Sequence, residues 1–263
     1  MLDSAHLDAQ LLLCEATGQT RAAVLAYPER TLTEAQHAAF EAMLKRREHG
    51  EPLAYIRGWM LFYDRTFIVT PDVLIPRPET ELLLEWALDI TRATPARSMA
   101  DIGTGSGALA VTFKAHAPDV SVYGVDISAA ALAVARRNSE AQRVAVTFLH
   151  GDLLEPLAAQ GIQPDIVLAN LPYIASADVP QLDVSLHEPT LALDGGVDGL
   201  ALVRRLLARA PQVCAAGAWI GLEIGAEQGA AALALASQVG VAELRQDYSG
   251  HDRLVGVRLY KDN

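Results

Sequence analysis

The sequence predicts an α/β protein built on a mostly parallel sheet, with a small helical domain in front of it. Strand-like and helix-like segments alternate from residue 96 onward, which is typical of a parallel sheet with helices on both faces. The last two predicted strands have no helical pattern between them, so we expect them to pair antiparallel. The first fifty residues carry helical periodicity, which indicates the separate helical domain.

The predicted N-terminal domain, residues 1–50, contains two marked helices. Residues Asp3 to Thr17 carry apolar side chains near helical spacing and are followed by Gly18, which readily ends a helix. The second helix begins at Thr33, since Gln36 stands three residues later as in a capping box, and it closes with a basic turn.

Residues 51–78 are predicted to form a hairpin linker. Two apolar or aromatic runs, Ile56–Phe62 and Phe67–Val69, flank the polar pair Asp64-Arg65 as hairpin strands flank a turn. Prolines then end regular structure and leave residues 74–81 as a stiff, extended segment that leads into a helix.

The third region, residues 79–263, is predicted to hold the sheet. It begins with a helix whose apolar side chains share one face, namely Leu82, Leu83, Trp86, Ala87 and Ile90. The predicted strands are Ser98–Ile102, Val120–Val125, Val144–Leu149, Asp165–Ala169, Ala218–Glu223, Glu243–Tyr248 and Leu254–Tyr260. The helices between them begin at Ala108 and cover Ala129–Ala141, Leu200–Ala210 and Gln228–Val239.

The charge balance disfavours a polyanionic partner. Lys and Arg number 21 against 32 Asp and Glu, which gives a formal net charge of −11. Such a molecule repels nucleic acid at long range, and the densest basic run, Lys45-Arg46-Arg47, is better explained as the end of a helix. We therefore expect no nucleic-acid partner.

Other sequence features indicate an ordinary globular protein. Hydrophobic residues make up 51% of the chain and charged residues 20%. No apolar window approaches the ~20 residues needed to span a bilayer, and the N-terminus has no signal-peptide pattern, so we expect no membrane association and a cytoplasmic protein. Cys14 and Cys214 lack partners at metal-binding spacing, so we predict two buried free thiols and no metal site.

A glycine-rich loop follows the first predicted parallel strand. Its residues Gly103, Thr104, Gly105, Ser106 and Gly107 lead directly into a helix that starts at Ala108. Glycines at these places allow a tight turn and let a ligand approach the backbone N–H groups at the helix start. The same spacing also fits a dinucleotide-binding fingerprint, so the loop predicts a cofactor site without choosing the cofactor.

Acidic residues follow the next two strands. Asp126 ends the second strand, where it is placed to accept hydrogen bonds from ribose hydroxyl groups. Asp152 follows the third strand and is expected to accept from an adenine amine, with Leu153 against the ring. Each aspartate could instead cap the helix that follows it.

The tetrapeptide Asn170-Leu171-Pro172-Tyr173 follows the fourth strand. It predicts methyl transfer to a planar amide or amine nitrogen. An amide or aromatic amine nitrogen is a poor nucleophile because its lone pair is delocalised. If the Asn170 side-chain oxygen and the Leu171 carbonyl accept its two N–H bonds, the lone pair can be directed at a methyl sulfonium. Pro172 stiffens the turn, and the Tyr173 ring can stack on a planar acceptor.

These segments together resemble the release-factor glutamine methyltransferases. The resemblance covers nearly the whole chain and is carried by Gly50–Ile56, Leu74–Glu81, Gly103–Gly107, Asn170–Tyr173 and Glu188–Gly199. The most specific of these is Arg77-Pro78-Glu79-Thr80-Glu81, because it is foreign to nucleic-acid methyltransferases in general. The family usually has Pro where this chain has Leu171, and we expect the N-terminus to lack the first helix of typical members.

The resemblance implies a seven-stranded Rossmann-like class I methyltransferase sheet with a C-terminal antiparallel hairpin, preceded by a helical substrate-recognition domain. It implies S-adenosylmethionine as cofactor, in contact with Gly103 to Gly107, Asp126, Leu153 and Asn170. It also implies that residues Asn170 to Tyr173 hold the glutamine of a Gly-Gly-Gln loop in class 1 peptide chain release factors, with Asn170 and Tyr173 as the catalytic residues.

Two catalytic alternatives remain open from the sequence, beside a binding module that has no catalytic activity. Asn-Leu-Pro-Tyr is also the form found in ribosomal RNA adenine dimethyltransferases, and a flipped adenine presents a similar amine. A dinucleotide-dependent oxidoreductase is compatible with the glycine loop alone. The net charge and the Leu74–Glu81 segment disfavour the first, and the predicted antiparallel end of the sheet disfavours the second.

Overall fold

A computed structural model describes residues 2–261, and the chain divides into two compact units, one ending at Trp59 and one beginning at Met60. The first unit contains four helices, α1 (Leu2–Thr17), α2 (Arg21–Ala26), α3 (Glu34–Glu48) and α4 (Leu53–Arg57). The capping box predicted at α3 is confirmed, since Thr33 Oγ1 accepts from Gln36 N at 3.3 Å and Gln36 Oε1 accepts from Thr33 N at 3.0 Å.

Two short helices of this region were not predicted. The six residues of α2 are too few to show a period, although the Thr20 side chain caps them by accepting from Ala23 N. The strand predicted from Ile56 is wrong at its start, because α4 occupies Leu53–Arg57. Gly58, with φ of 79°, ends this helix in the left-handed conformation.

A hairpin opens the remainder of the chain. Strand β1 (Trp59–Phe62) pairs with β2 (Arg65–Ile68) in a separate two-stranded sheet. The turn at Tyr63 has φ of 57°, which an aromatic side chain seldom adopts. The predicted hairpin is present with other bounds, since β1 starts after Ile56 and β2 starts at Arg65 rather than Phe67, and Phe62 and Phe67 are buried.

Seven further strands form one sheet in the order β5-β4-β3-β6-β7-β9-β8. The strands are β3 (Ser98–Ile102), β4 (Ser121–Asp126), β5 (Thr147–His150), β6 (Ile166–Ala169), β7 (Trp219–Glu223), β8 (Gly240–Gln246) and β9 (Asp252–Leu259). The first five are parallel to one another, whereas β9 pairs antiparallel with both β7 and β8. The predicted antiparallel end of the sheet is therefore confirmed.

Helices alternate with these strands. They are α5 (Thr80–Ala93), α6 (Ala108–His116), α7 (Ala129–Gln142), α8 (Glu155–Ala159), α9 (Ala201–Val213) and α10 (Gly229–Ala236). Most predicted boundaries lie within three residues of the observed ones. Strand β5 starts later than expected because Arg143, with φ of 56°, closes α7 and Val144 N donates to Ser139 O in the turn that follows.

Apolar side chains are buried on both faces of the sheet. One cluster contains residues of α5 and α6, and the other contains residues of α9 and α10. Trp86 of α5 is 2% exposed, packs edge-on against Trp219 and donates its Nε1–H to Glu243 Oε1 at 2.9 Å. These layers fix the carboxyl ends of the parallel strands at one edge.

Both cysteines are free. Cys214 is buried as predicted, and burial raises the pKa of its thiol to about 12. The prediction for Cys14 is wrong in degree, since it is half-buried. Within residues 2–261 no helix is long and apolar enough to cross a bilayer, and no group of three or more His, Cys, Asp or Glu could hold a metal ion.

Candidate active site

A cavity of about 390 Å³ opens at the carboxyl ends of β3, β4, β5 and β6. Its wall is drawn from the loops that follow these strands and from the extended segment before α5. The sequence-predicted residues that line it are Gly103, Thr104, Gly105, Ser106, Asp126, Asp152, Leu153, Asn170, Leu171 and Pro172. The fold therefore brings nearly all of them to one place.

The glycine loop is shaped by its positive φ angles. Gly103 has φ of 74°, and its N–H donates to Val125 O at 2.8 Å, which ties the loop to the end of β4. Gly107 caps α6 with φ of 80°, and a Cβ there would lie 3.2 Å from the Cβ of Ala135. The loop thus needs glycine for both its conformation and its packing against α7.

Asp126 supports the loop from the side. Its Oδ2 accepts from Gly105 N at 2.9 Å and its Oδ1 from Ser128 N at 2.8 Å. Burial raises its pKa, and these backbone hydrogen bonds oppose the shift. The helix-cap alternative does not apply, because the α7 cap is Ser128, whose side chain accepts from Ala131 N. Each carboxylate oxygen keeps lone pairs for a ligand hydroxyl group.

Asp101, the last acidic residue before the loop, was missed as a site residue. It lines the cavity, is 1% exposed, and accepts from Thr104 Oγ1 at 2.6 Å and from Ala110 N at 3.2 Å. Burial raises its pKa to about 7. Its position two residues before the first glycine of the loop was the available signal.

Asp152 and Leu153 lie at the far side of the cavity. The Asp152 carboxylate forms an ion pair with Arg205 of α9, which also lines the cavity. Helix α8 has no side-chain cap, so the capping alternative for Asp152 is not observed. Leu153 lines the cavity and holds φ of 46°, which is a strained conformation for a leucine.

Asn170 follows β6 and faces the cavity. Its Nδ2 donates to Thr80 Oγ1 at 2.9 Å, and Thr80 is 5% exposed at the start of α5. This hydrogen bond assigns the amide nitrogen to Thr80 and leaves Oδ1 for the cavity side. Thr80 was not predicted as a site residue, because its role depends on a contact across ninety residues of chain.

Tyr173 is placed differently from the other three residues of its motif. Leu171 and Pro172 line the cavity, whereas Tyr173 is not among the lining residues. Its backbone carbonyl accepts from Gln228 Nε2 at 2.8 Å, and burial raises the pKa of its hydroxyl. The stacking of its ring on an acceptor stays a prediction.

A buried acid anchors the extended segment. Glu188 is 4% exposed, its Oε2 accepts from Ile75 N at 3.1 Å, and its Oε1 accepts from Arg77 in an ion pair. Arg77 lines the cavity. Glu188 thus fixes one wall of the site from a loop more than a hundred residues away.

The parallel sheet with a reversed terminal strand, and a glycine-loop cavity at its carboxyl edge, define a class I methyltransferase. A ribosomal protein L11 methylase from Lactobacillus delbrueckii has the same fold, with a TM-score of 0.51 and 18% identity over 70% of this chain and 81% of the other. A 16S rRNA methyltransferase from T. thermophilus, in complex with AdoMet and guanosine, gives a TM-score of 0.56 at 18% identity over 76% and 50% of the two chains.

Sequence comparison identifies the family. Residues 2–58 match the model of the PrmC N-terminal domain, and residues 78–185 match the methyltransferase small domain. The release factor glutamine methyltransferase of Geobacter sulfurreducens is 38% identical over 98% of this chain and 91% of its own. That of Moorella thermoacetica is 42% identical over 94% and 89%. The chain belongs to the release factor glutamine methyltransferase family.

Proposed function

We propose that this protein transfers a methyl group from S-adenosylmethionine to the side-chain amide nitrogen of the glutamine in the Gly-Gly-Gln loop of class 1 peptide chain release factors. The observation that carries the proposal is the Asn170 amide, which is held at the cavity by Thr80 with its oxygen left for an acceptor N–H. Family membership supports the same reaction, since the relatives named above are release factor glutamine methyltransferases.

The cavity residues fit a cationic nucleoside cofactor. Asp101 and Asp126 place two carboxyl groups at its wall, and the glycine loop leaves room for a ligand beside its backbone. Asp126 would hold the ribose, Asp152 and Leu153 the adenine, and Gly103 to Gly107 the remaining part. When bound, S-adenosylmethionine supplies an electrophilic methyl group on a sulfonium.

The residues after β6 would act on the acceptor amide. Asn170 Oδ1 and the Leu171 carbonyl oxygen accept its two N–H bonds, which turns the nitrogen lone pair toward the methyl group. Leu171 is 5% exposed and Pro172 follows it, so the carbonyl is held in a rigid turn. No strong base is needed, because the transfer leaves a cationic amide nitrogen that is acidic enough to release a proton to water.

Removing the Asp126 carboxylate should weaken cofactor binding. Asp126→Ala deletes a charge-assisted acceptor and frees the N–H of Gly105, so we expect a loss on the order of 1.5–3 kcal/mol in binding free energy. Titration calorimetry with S-adenosylmethionine measures it. Asp119→Ala, an exposed site at the opposite end of β4, is the matched control and should bind as the wild type does. Equal dissociation constants for the two variants would exclude Asp126 as a cofactor ligand.

The acceptor is tested directly by mass spectrometry of a release factor after incubation with the enzyme and S-adenosylmethionine. We expect one added methyl group on the loop glutamine, and none on a release factor whose loop glutamine is replaced by glutamate. Tritium transfer to RNA or DNA oligonucleotides should be absent. Robust labelling of nucleic acid with none on the release factor would refute the proposal in favour of an adenine methyltransferase.

A further inference from the structure

Glu223 is a buried acid that the reaction described above does not use. It ends β7 and is 3% exposed. Strands β6 and β7 are parallel, with Ala169 beside Leu222. The residues that come next are Asn170, directly after β6, and Glu223, at the end of β7, so these two are also neighbours on one face. The acid therefore lies behind the amide that faces the cavity, without being among the residues that line it.

The surroundings of Glu223 are poor in compensating charge. Burial raises the pKa of its carboxyl to about 7, hydrogen bonds with Thr80 and Asn170 and the charge of Arg253 lower it, and Glu79 raises it. Within the described residues its Oε2 has no hydrogen-bond partner. A buried carboxylate with one oxygen that lacks a hydrogen-bond partner is costly, so its presence here points to a role other than stability.

The hydrogen bonds of the cluster give that role a direction. Asn170 Nδ2 donates to Thr80 Oγ1 at 2.9 Å, and hydrogen bonding by the Thr80 and Asn170 side chains lowers the pKa of the Glu223 carboxyl. A carboxylate can only accept hydrogen bonds, so both side chains must turn hydrogens toward it. In this arrangement one amide hydrogen of Asn170 goes to Thr80, the other faces the neighbouring Glu223 carboxylate, and Oδ1 is left for the cavity.

We propose that Glu223 is a positioning residue that, together with Thr80, locks the Asn170 side chain in the orientation that accepts from the substrate amide. The inference rests on the proposed function, because it assigns Glu223 a part in placing that acceptor. The rotated amide is excluded in this arrangement, since it would turn Oδ1 toward the carboxylate and its NH2 group toward the N–H bonds of the substrate.

Glu223→Gln tests the role with little change of volume. The amide introduced there can donate to Oδ1, so the rotated form of Asn170 becomes available. We expect single-turnover methyl transfer at about pH 8.5, where Glu223 is ionised, to slow by roughly 10- to 100-fold. The dissociation constant for S-adenosylmethionine should change by less than about threefold, because Glu223 does not line the cavity.

A double-mutant cycle separates positioning from mere structural support. If Glu223 acts through Asn170, then Glu223→Gln should slow the reaction by less than about threefold in the Asn170→Ala background. An equal loss in both backgrounds would overturn the inference. Wild-type enzyme that transfers no methyl group to a release factor would instead refute the proposed function, so the two failures are distinguishable.

Thr80 provides a second, independent variant. Thr80→Val removes the hydroxyl and should slow transfer by roughly tenfold or more, whereas Thr80→Ser keeps it and should restore at least a third of the wild-type rate. The matched control is Thr112→Val, since Thr112 is also buried in a helix but its Oγ1 has no partner within the described residues. Equal activity of Thr80→Val and Thr112→Val would also overturn the inference.

Discussion

Replacing Asn170 with alanine should slow methyl transfer by roughly 10²–10³-fold while leaving cofactor affinity far less changed. The variant loses the side-chain oxygen that polarises and orients the acceptor amide, and that interaction is strongest in the transition state. Thr80 Oγ1 also loses its donor, but the Thr80 side chain still lowers the pKa of the Glu223 carboxyl by hydrogen bonding, so we expect the fold to persist. Single-turnover assays with a release factor as acceptor, paired with calorimetry for the cofactor, measure both quantities.

The neighbouring residue supplies the contrast. Leu171→Pro restores the commoner family residue and keeps the backbone carbonyl, so activity should stay within about tenfold, a change of at most ~1.4 kcal/mol in the barrier. Part of that change would come from lost packing, since the Leu171 side chain lies against Gly103. Near-normal turnover in Asn170→Ala, or equal damage from Leu171→Pro, would contradict the two-acceptor arrangement.

A methyl group added at Gly199 should damage both stability and activity. Gly199 has φ of 72°, and a Cβ there would lie 2.1 Å from Tyr173 O and 2.4 Å from Gln228 Nε2, two atoms that are hydrogen-bonded to each other. Gly199→Ala must therefore shift the turn that carries Asn170 to Tyr173. We expect a loss of about 2–4 kcal/mol in unfolding free energy and a rate roughly 10²-fold lower.

Gly161→Ala is the matched control for that variant. Its φ of 65° imposes a similar backbone strain, but a Cβ there has no contact within 4 Å. Urea unfolding should show a loss of only about 1–2 kcal/mol, with methyl transfer unchanged. If both alanine variants lost activity to the same degree, strain rather than the contact with Tyr173 would be responsible.

Local patterns in the sequence predicted the parts of the molecule that are built from neighbouring residues. The capping box at Thr33, the strands of the sheet and its antiparallel end each depend on a short stretch of chain with its own period or cap. The glycine loop could be placed because it follows a buried strand and opens a helix. Asn170 to Pro172 lie at the cavity for the same reason, since the carboxyl ends of parallel strands share one edge.

Contacts between distant segments could not be predicted in this way. Thr80 lies far before Asn170 in the sequence and Glu223 lies far after it. No spacing in the sequence therefore predicts that these residues are close together. Glu188 belongs to the segment Glu188–Gly199 that carries the family resemblance. Its hydrogen bonds from Ile75 and Arg77 could not be predicted, because they form only when the loop after β6 folds over the extended segment. Short helices such as α4 could not be predicted either, because five residues are too few to show a helical period.

The strand order has a consequence for how such proteins diversify. The residues proposed to hold the cofactor follow β3, β4 and β5, which form one half of the strand order. The residues proposed to hold the acceptor follow β6, which lies next to β7 in the other half. Mutations that reshape the acceptor half can therefore accumulate while the donor half is preserved. A lineage can exchange one methyl acceptor for another by altering the loops beyond β6, without having to reinvent its methyl donor site.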